Sequence, residues 1–164
     1  MIKKNVIVVG AGQMGELVSN IILRQGKFNI LGFVDKKKTT KINGYKILGN
    51  DNFLYDKKID CSHIVIAVTE FKRRLDIYKK LSKLKYKFPN IIDPSVKIDN
   101  NIRLREGIII GMNSVILNRV RIGNLSIIGT SVNILHDCTI GNNCLIGGGT
   151  LVGANVVLKN NIYV

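Results

Sequence analysis

The stretch LHDCTIGNNCLIGGG, residues 135–149, places one of the chain's two histidines beside an aspartate and two of its three cysteines. Three chemistries are open to such a set: metal ligation, a nucleophilic thiol with its base, or an imidazole supported by a carboxylate. The spacing of His136, Cys138 and Cys144 matches no Cys-x-x-Cys or His-x-x-x-His ligand pattern, so no metal is expected. The two cysteines read as small core filler rather than as nucleophiles. His136 and Asp137 are a different matter. A carboxylate beside an imidazole raises its basicity and can fix its orientation, as a general base near neutral pH requires. Spacing alone leaves that reading level with an ordinary exposed surface histidine. The other histidine, His63, precedes the apolar run IVIAV and reads as structural.

A second chemical signal lies near the N-terminus. GAGQMG, residues 10–15, sets Gly10, Gly12 and Gly15 in the spacing Gly-x-Gly-x-x-Gly between the strand-like VIVV and an amphipathic helix. Such glycines permit a tight turn and close backbone approach, and the helix start offers free N–H groups to a phosphate. Asp35 ends the next strand twenty residues after Gly15, where a carboxylate can accept from a ribose 2′-OH. Taken alone this favours NAD. The half-chain is too short for the second βαβ half and substrate domain of a dehydrogenase. A nucleotide phosphate is the favoured ligand, with NAD and a purely structural turn as alternatives.

The elements that position these residues have two different periods. From Ile92 a step of six gives Ile98, Leu104, Ile110, Ile116, Ile122, Ile128, Ile134, Ile140, Ile146, Val152, Leu158 and Val164, all aliphatic. Two positions before successive steps stand small or β-branched residues, Ser114, Val120, Ser126, Val132, Cys138, Cys144, Thr150 and Val156. Three positions after the steps come Asn101, Gly107, Asn113, Asp137, Asn143, Gly149, Asn155 and Asn161. The first two columns point inward from short strands, by the two-residue strand period. The third is rich in residues that tolerate left-handed backbone and marks sharp corners. Three strands and three corners close one triangular coil, so residues 92–164 hold about four coils of a parallel β-helix. Cys138 and Cys144 then fall in the inward column, while His136 sits in a corner and projects outward.

Residues 1–91 alternate instead between strand and helix. KKNVIVVG, NILGFVD and SHIVIAV read as strands; QMGELVSNIILRQG and the basic FKRRLDIYKKLSKLKY read as helices. That alternation predicts a small α/β, Rossmann-like domain with a parallel sheet. The net charge of +14 is concentrated here, with 19 Lys/Arg against 8 Asp/Glu in residues 1–94. The basic residues lack interleaved aromatics, and Lys, Ile and Asn are abundant together, so no nucleic-acid partner is expected. Hydrophobic content of 46% fits a globular protein. No apolar run approaches the roughly 18 residues of a membrane span, nor the core of a signal peptide. With three irregularly spaced cysteines, a cytoplasmic protein with reduced thiols is expected.

The chain resembles acyltransferases that join an N-terminal nucleotide-sugar-binding domain to a left-handed β-helix of hexapeptide repeats. These are the UDP-4-amino-sugar N-acetyltransferases and the related sialic acid O-acetyltransferases. The shared stretches are VIVVGAGQMGELV, ILGFVD and SVNILHDCTIGNNCLIGGGTLVG. The resemblance implies that His136 is the general base and Asp137 its partner. It implies direct attack of an acceptor amine or hydroxyl on acetyl-CoA, and a homotrimer with acetyl-CoA lying between neighbouring β-helices.

The same resemblance implies nucleotide-sugar contacts from Gly10, Gly12, Gln13, Met14, Gly15, Asp35, Lys36 and Thr69, with Arg74 as an anion contact. Gln13-Met14-Gly15 replaces the family's usual Gly-His-Gly, Lys36 replaces a second acid, and Thr69 replaces a glycine. Leu145 stands where some members carry a second histidine near the acetyl donor, and Ala154 matches a small residue of the CoA groove. Family members continue for several further coils beyond the position matched by Val164. The expectation from that difference is a shortened product or a weakened donor groove. The expected function is acetyl transfer to a nucleotide-linked amino sugar. A sialic acid acceptor, or a non-catalytic nucleotide-sugar-binding or assembly subunit, is the alternative.

Overall fold

The computed structural model describes residues 3–37, 40–55, 61–84 and 86–164. The chain forms two units, Met1–Pro89 and Asn90–Val164. The division falls two residues before the break read at 91/92, because Ile91 already donates its N–H to Ile108 O at 2.8 Å.

In the first unit β1 (Lys4–Val9) leads into α1 (Gln13–Gln25) and β2 (Phe28–Val34). There follow β3 (Ile47–Gly49), a 3₁₀ turn at Asp51–Tyr55, β4 (His63–Ile66) and α2 (Phe71–Leu81). The sheet is parallel in the order β3-β2-β1-β4, so β1 is central. Its VIVV run is wholly buried, as a strand covered on both faces requires. Helix α1 buries Val18, Ile21 and Ile22 and stops at Gly26, whose φ of 66° lets its N–H reach Ile22 O. Helix α2 ends at Leu81, short of the stretch read as helical. Leu81 is the last residue of its apolar face that is buried, whereas Leu84 is 41% exposed. Strand β3 has only three residues and no alternation, and the sequence did not announce it.

The second unit is a left-handed parallel β-helix. Twelve two-residue strands among the described residues run from β5 (Ile91–Ile92) to β16 (Val157–Leu158), each ending on a step residue. Strands 18 residues apart pair in parallel, as Arg103↔Arg121, Arg121↔Thr139 and Thr139↔Val157 illustrate. Three four-stranded sheets result. The step residues form a continuous core, with Ile116, Ile134 and Ile146 fully buried. Burying each such side chain contributes about 1.5–3 kcal/mol before chain entropy is counted.

The corner column is left-handed throughout from Asn101 to Asn161. It includes Arg119 (φ 61°), Leu125 (61°) and Ser131 (55°), residue types that do not favour that region. In the inward column, Ser114 and Ser126 donate to Gly129 O and Gly141 O. Cys138 and Cys144 repeat that geometry, with Sγ 3.0 and 3.1 Å from Gly153 O and Lys159 O. The cysteines are therefore core residues that close the same inter-coil contact as the serines.

His63 on β4 is buried against the Phe28 ring, with Nδ1 2.9 Å from Ser62 Oγ. Burial first, then the positive charges of Lys4 and Lys87, push its pKa below the ordinary 6.5. The unfolded chain thus binds the proton more readily. The stability that the neutral ring contributes is present above pH 6.5 and is lost as pH falls through the lower folded-state value. Thermal unfolding of the wild type should weaken between pH 7 and 5 more steeply than that of His63→Phe. Parallel curves would show that His63 is not the titrating group.

Candidate active site and nucleotide pocket

The corner after Ile134 brings His136 out of the β-helix core, and Asp137 follows at φ 63°. Asp137 Oδ2 lies 2.8 Å from His136 Nδ1, and the imidazole is half exposed. A carboxylate at that distance accepts the Nδ1 proton, so that in the neutral ring Nε2 is the unprotonated nitrogen. Asp137 has a second partner. Arg119, one coil earlier in the same corner column, donates from Nε to Oδ1 at 2.6 Å and from Nη2 to Oδ2 at 2.7 Å. This fork-on-fork contact and the imidazole bond hold the Asp137 carboxyl well below the usual carboxylate range, Arg119 contributing most.

The residues expected near the acetyl donor are separated by the fold. Ala154 occupies the next coil of the His136 corner, where the N–H of Asn155 donates to His136 O at 3.1 Å. Leu145 is half a coil away from His136, on β14 (Leu145–Ile146) of a different sheet. Its carbonyl accepts from the N–H of Val164. Among the described residues no three His, Cys, Asp or Glu side chains converge as metal ligands.

In the first unit a cavity of about 440 Å³ opens at the carboxyl ends of β1 and β4, where the strand order reverses. Gly10, Gly12, Gln13, Met14, Asp35 and Thr69 line it together with Glu70 and Arg73. The three glycines do different things. Gly10 has φ 102°, and a Cβ there would sit 2.6 Å from Ala67 O. A Cβ on Gly15 would collide with Gly10 O, so Gly15 lets α1 press on the loop and lies outside the cavity lining. Gly12 faces open space at the start of α1, where the orphan N–H groups of the first turn point. Asp35 braces the loop: its carboxylate accepts from Ala11 N at 2.9 Å and from Lys37 N at 2.8 Å. Lys36 pairs with Asp51 at 3.5 Å and lines an adjoining cavity of about 660 Å³.

Arg74 corrects the sequence reading. It is fully buried, donates to Val68 O and Thr69 O at 2.8 and 3.0 Å, and stacks on Phe71, so it holds the β4–α2 turn rather than an anion. Arg73 takes the position expected of Arg74. It lines both cavities, and its Nε and Nη2 are buried without a hydrogen-bond partner, Nη2 lying 3.6 Å from Asp51 Oδ1. Helical spacing held the clue, since Arg74, Ile77 and Leu81 share the buried face of α2. Arg119 was equally unread, although it stands one 18-residue coil before Asp137.

Residues 5–81 match the family model of the PglD N-terminal domain, and residues 119–154 match that of the bacterial transferase hexapeptide (six repeats). No curated protein matches the sequence. Among solved structures, the chain is similar to a variant of GDP-perosamine N-acetyltransferase from Caulobacter crescentus in complex with CoA and GDP-perosamine. The identity is 21% and the TM-score 0.78, over 97% of this chain and 90% of that one. It is also similar to the acetyltransferase domain of PglB from Neisseria gonorrhoeae in complex with acetyl coenzyme A. There the identity is 20% and the TM-score 0.67, over 96% of this chain and 97% of that one. WeeI from Acinetobacter baumannii shares 19% identity over 98% of this chain and 94% of its own, with a TM-score of 0.55. These likenesses establish the fold. With the two family matches, they bear out the resemblance to hexapeptide-repeat sugar acetyltransferases. No helix among the described residues is long and apolar enough to cross a membrane.

The geometry around Asp137 predicts the effect of cutting one of its contacts. In Arg119→Gln the carboxyl titration of Asp137 should climb towards the ordinary carboxylate range, read by carbon-13 NMR of the side chain. A midpoint that stays where it was would remove Arg119 as the holder of that charge.

Proposed function

We propose that this chain transfers an acetyl group from acetyl-CoA to the amine of a nucleotide-linked amino sugar. The observation that carries the reading is the His136–Asp137 contact of 2.8 Å on an exposed β-helix corner. Supporting it are the solved relatives, of which one holds CoA with GDP-perosamine and another acetyl coenzyme A.

In this reading Asp137 fixes the Nδ1–H tautomer and His136 Nε2 takes a proton from the acceptor nitrogen. That nitrogen forms its bond to the thioester carbonyl carbon, and the carbon–sulfur bond breaks. His136 then returns the proton to the departing CoA thiolate, and no covalent enzyme intermediate is formed. The nucleotide lies in the Gly10–Gly15 cavity, with its phosphate at the start of α1 beside Gly12 and Arg73. Asp35 acts on the nucleotide through the loop that it braces. A homotrimer is part of the proposal, because in such assemblies a neighbour supplies the far wall of the donor groove.

His136→Ala should lower acetyl transfer at least about a hundredfold. Its melting temperature should be unchanged, since the side chain is half exposed and outside the core. Turnover equal to wild type would take His136 out of the mechanism. Thermal unfolding with UDP, GDP, NAD and acetyl-CoA added separately tests the ligands. A ligand at a hundred times its dissociation constant stabilises by about 2.7 kcal/mol. Stabilisation by a nucleoside diphosphate and by acetyl-CoA supports the transferase. A nucleoside diphosphate alone points to a sugar-nucleotide-binding subunit, and NAD alone overturns the reading.

A further inference from the structure

The β-helix carries few cations, and three of them converge. Arg103 on β7 (Arg103–Leu104) and Arg121 on β10 (Arg121–Ile122) are register partners in one parallel sheet. Their Cα atoms are therefore about 4.8 Å apart. Both side chains are exposed. Neither guanidinium has a hydrogen bond or an ion pair among the described residues. Like charges directly opposite each other in a sheet oppose its formation, and here no carboxylate relieves them. Arg119, whose charge is already matched by Asp137, lines the same groove of about 620 Å³. Asn101 and Thr139 add polar groups to its wall. The groove thus holds two uncompensated, forked donors beside the carboxylate that orients His136.

We propose that Arg103 and Arg121 form a phosphate-binding site for a substrate of the reaction at His136. Two guanidinium forks carried on register partners match the charge and the several acceptor oxygens of a phosphate or pyrophosphate better than those of a single carboxylate. The groove is much larger than inorganic phosphate, so its ligand is a phosphorylated molecule with a body to seat. Both substrates of the proposed transfer are of that kind: CoA carries a 3′-phosphate and a pyrophosphate, and a sugar nucleotide carries a pyrophosphate. The identity of the ligand rests on the acetyl-transfer reading; the existence of the anion site does not.

The test is equilibrium binding to the wild type and to the double variant R103Q/R121Q, which keeps the exposed stems and is checked for an unchanged melting temperature. Inorganic pyrophosphate is titrated first. The variant should lose one equivalent of binding, and the lost component should be the one weakened by added salt. Equal stoichiometry and affinity in the two proteins, or no pyrophosphate bound by the wild type, overturns the site whatever the activity of the enzyme. CoA, 3′-dephospho-CoA and UDP then identify the source. A loss of at least tenfold for CoA with UDP unaffected assigns the groove to the donor. If 3′-dephospho-CoA suffers the same loss, the pyrophosphate is the group held. A loss confined to UDP assigns the groove to the acceptor and takes the acceptor's pyrophosphate out of the Gly10–Gly15 cavity. If the wild type binds pyrophosphate at this site yet neither CoA nor UDP binds, the site stands and the acetyl-transfer reading falls.

Discussion

The backbone hydrogen bond from one coil of the β-helix to the next governs almost everything in the second unit. Ile91 donates to Ile108, Lys97 to Ser114 and Arg121 to Cys138, each to the carbonyl 17 residues on, while corner amides such as Asn155 donate back to the preceding coil. A strand of two residues has no freedom to slip, since a shift of one would turn each buried isoleucine outward. The coil is therefore held at 18 residues, and any side chain's neighbours across the sheet are those 18 before and 18 after it. Arg119 meets Asp137 for that reason, and Arg103 meets Arg121 for the same reason. One of these pairings joins opposite charges and the other joins like charges. The same geometry that builds the core thus decides which charges are left over.

In the first unit the governing constraint is contact between backbones without side chains. The carbonyl of Gly10 and the Cα of Gly15 approach so closely that no Cβ fits, and Gly10 itself presses against Ala67. This brings the end of β1, the start of α1 and the turn after β4 to one place. Asp35 ties the arrangement from the end of β2. The cavity beside Gly12 is what remains once these approaches are made, so Gly12 is the glycine of the three with room beside it for a ligand.

The β-helix was almost wholly legible, because its repeat is written in residue types that each satisfy one physical demand. Asparagine and glycine marked corners, yet Arg119, Leu125 and Ser131 adopt the same left-handed backbone without any compositional sign. The repeat imposed that conformation on them. Arg119 was hidden for a related reason: its partner is found by counting a coil, not by looking along the chain. In the α/β unit, β3 was too short to show a period. The adjacent pair Arg73 and Arg74 could be sorted only by asking which lies on the buried face with Ile77 and Leu81. Asp35 lines the cavity, and its carboxylate holds backbone amides, which no spacing reveals.

The contact between Arg119 and Asp137 also alters what the neighbouring acid does for His136. Read from adjacency alone, Asp137 is a negative charge beside an imidazole. In the structure that charge is matched by a guanidinium gripping both oxygens, and Oδ2 is shared between Arg119 and His136. A carboxylate held in this way cannot swing, so its bond to Nδ1 sets the plane of the ring and the identity of the free nitrogen. The left-handed backbone at both Arg119 and Asp137 belongs to the same account, since it lets the same corner of two successive coils present its side chains to each other. The positive charge left in the groove then comes from Arg103 and Arg121, one step away on the adjoining strands. That groove therefore meets the imidazole only through Asp137, the carboxylate that both of them adjoin.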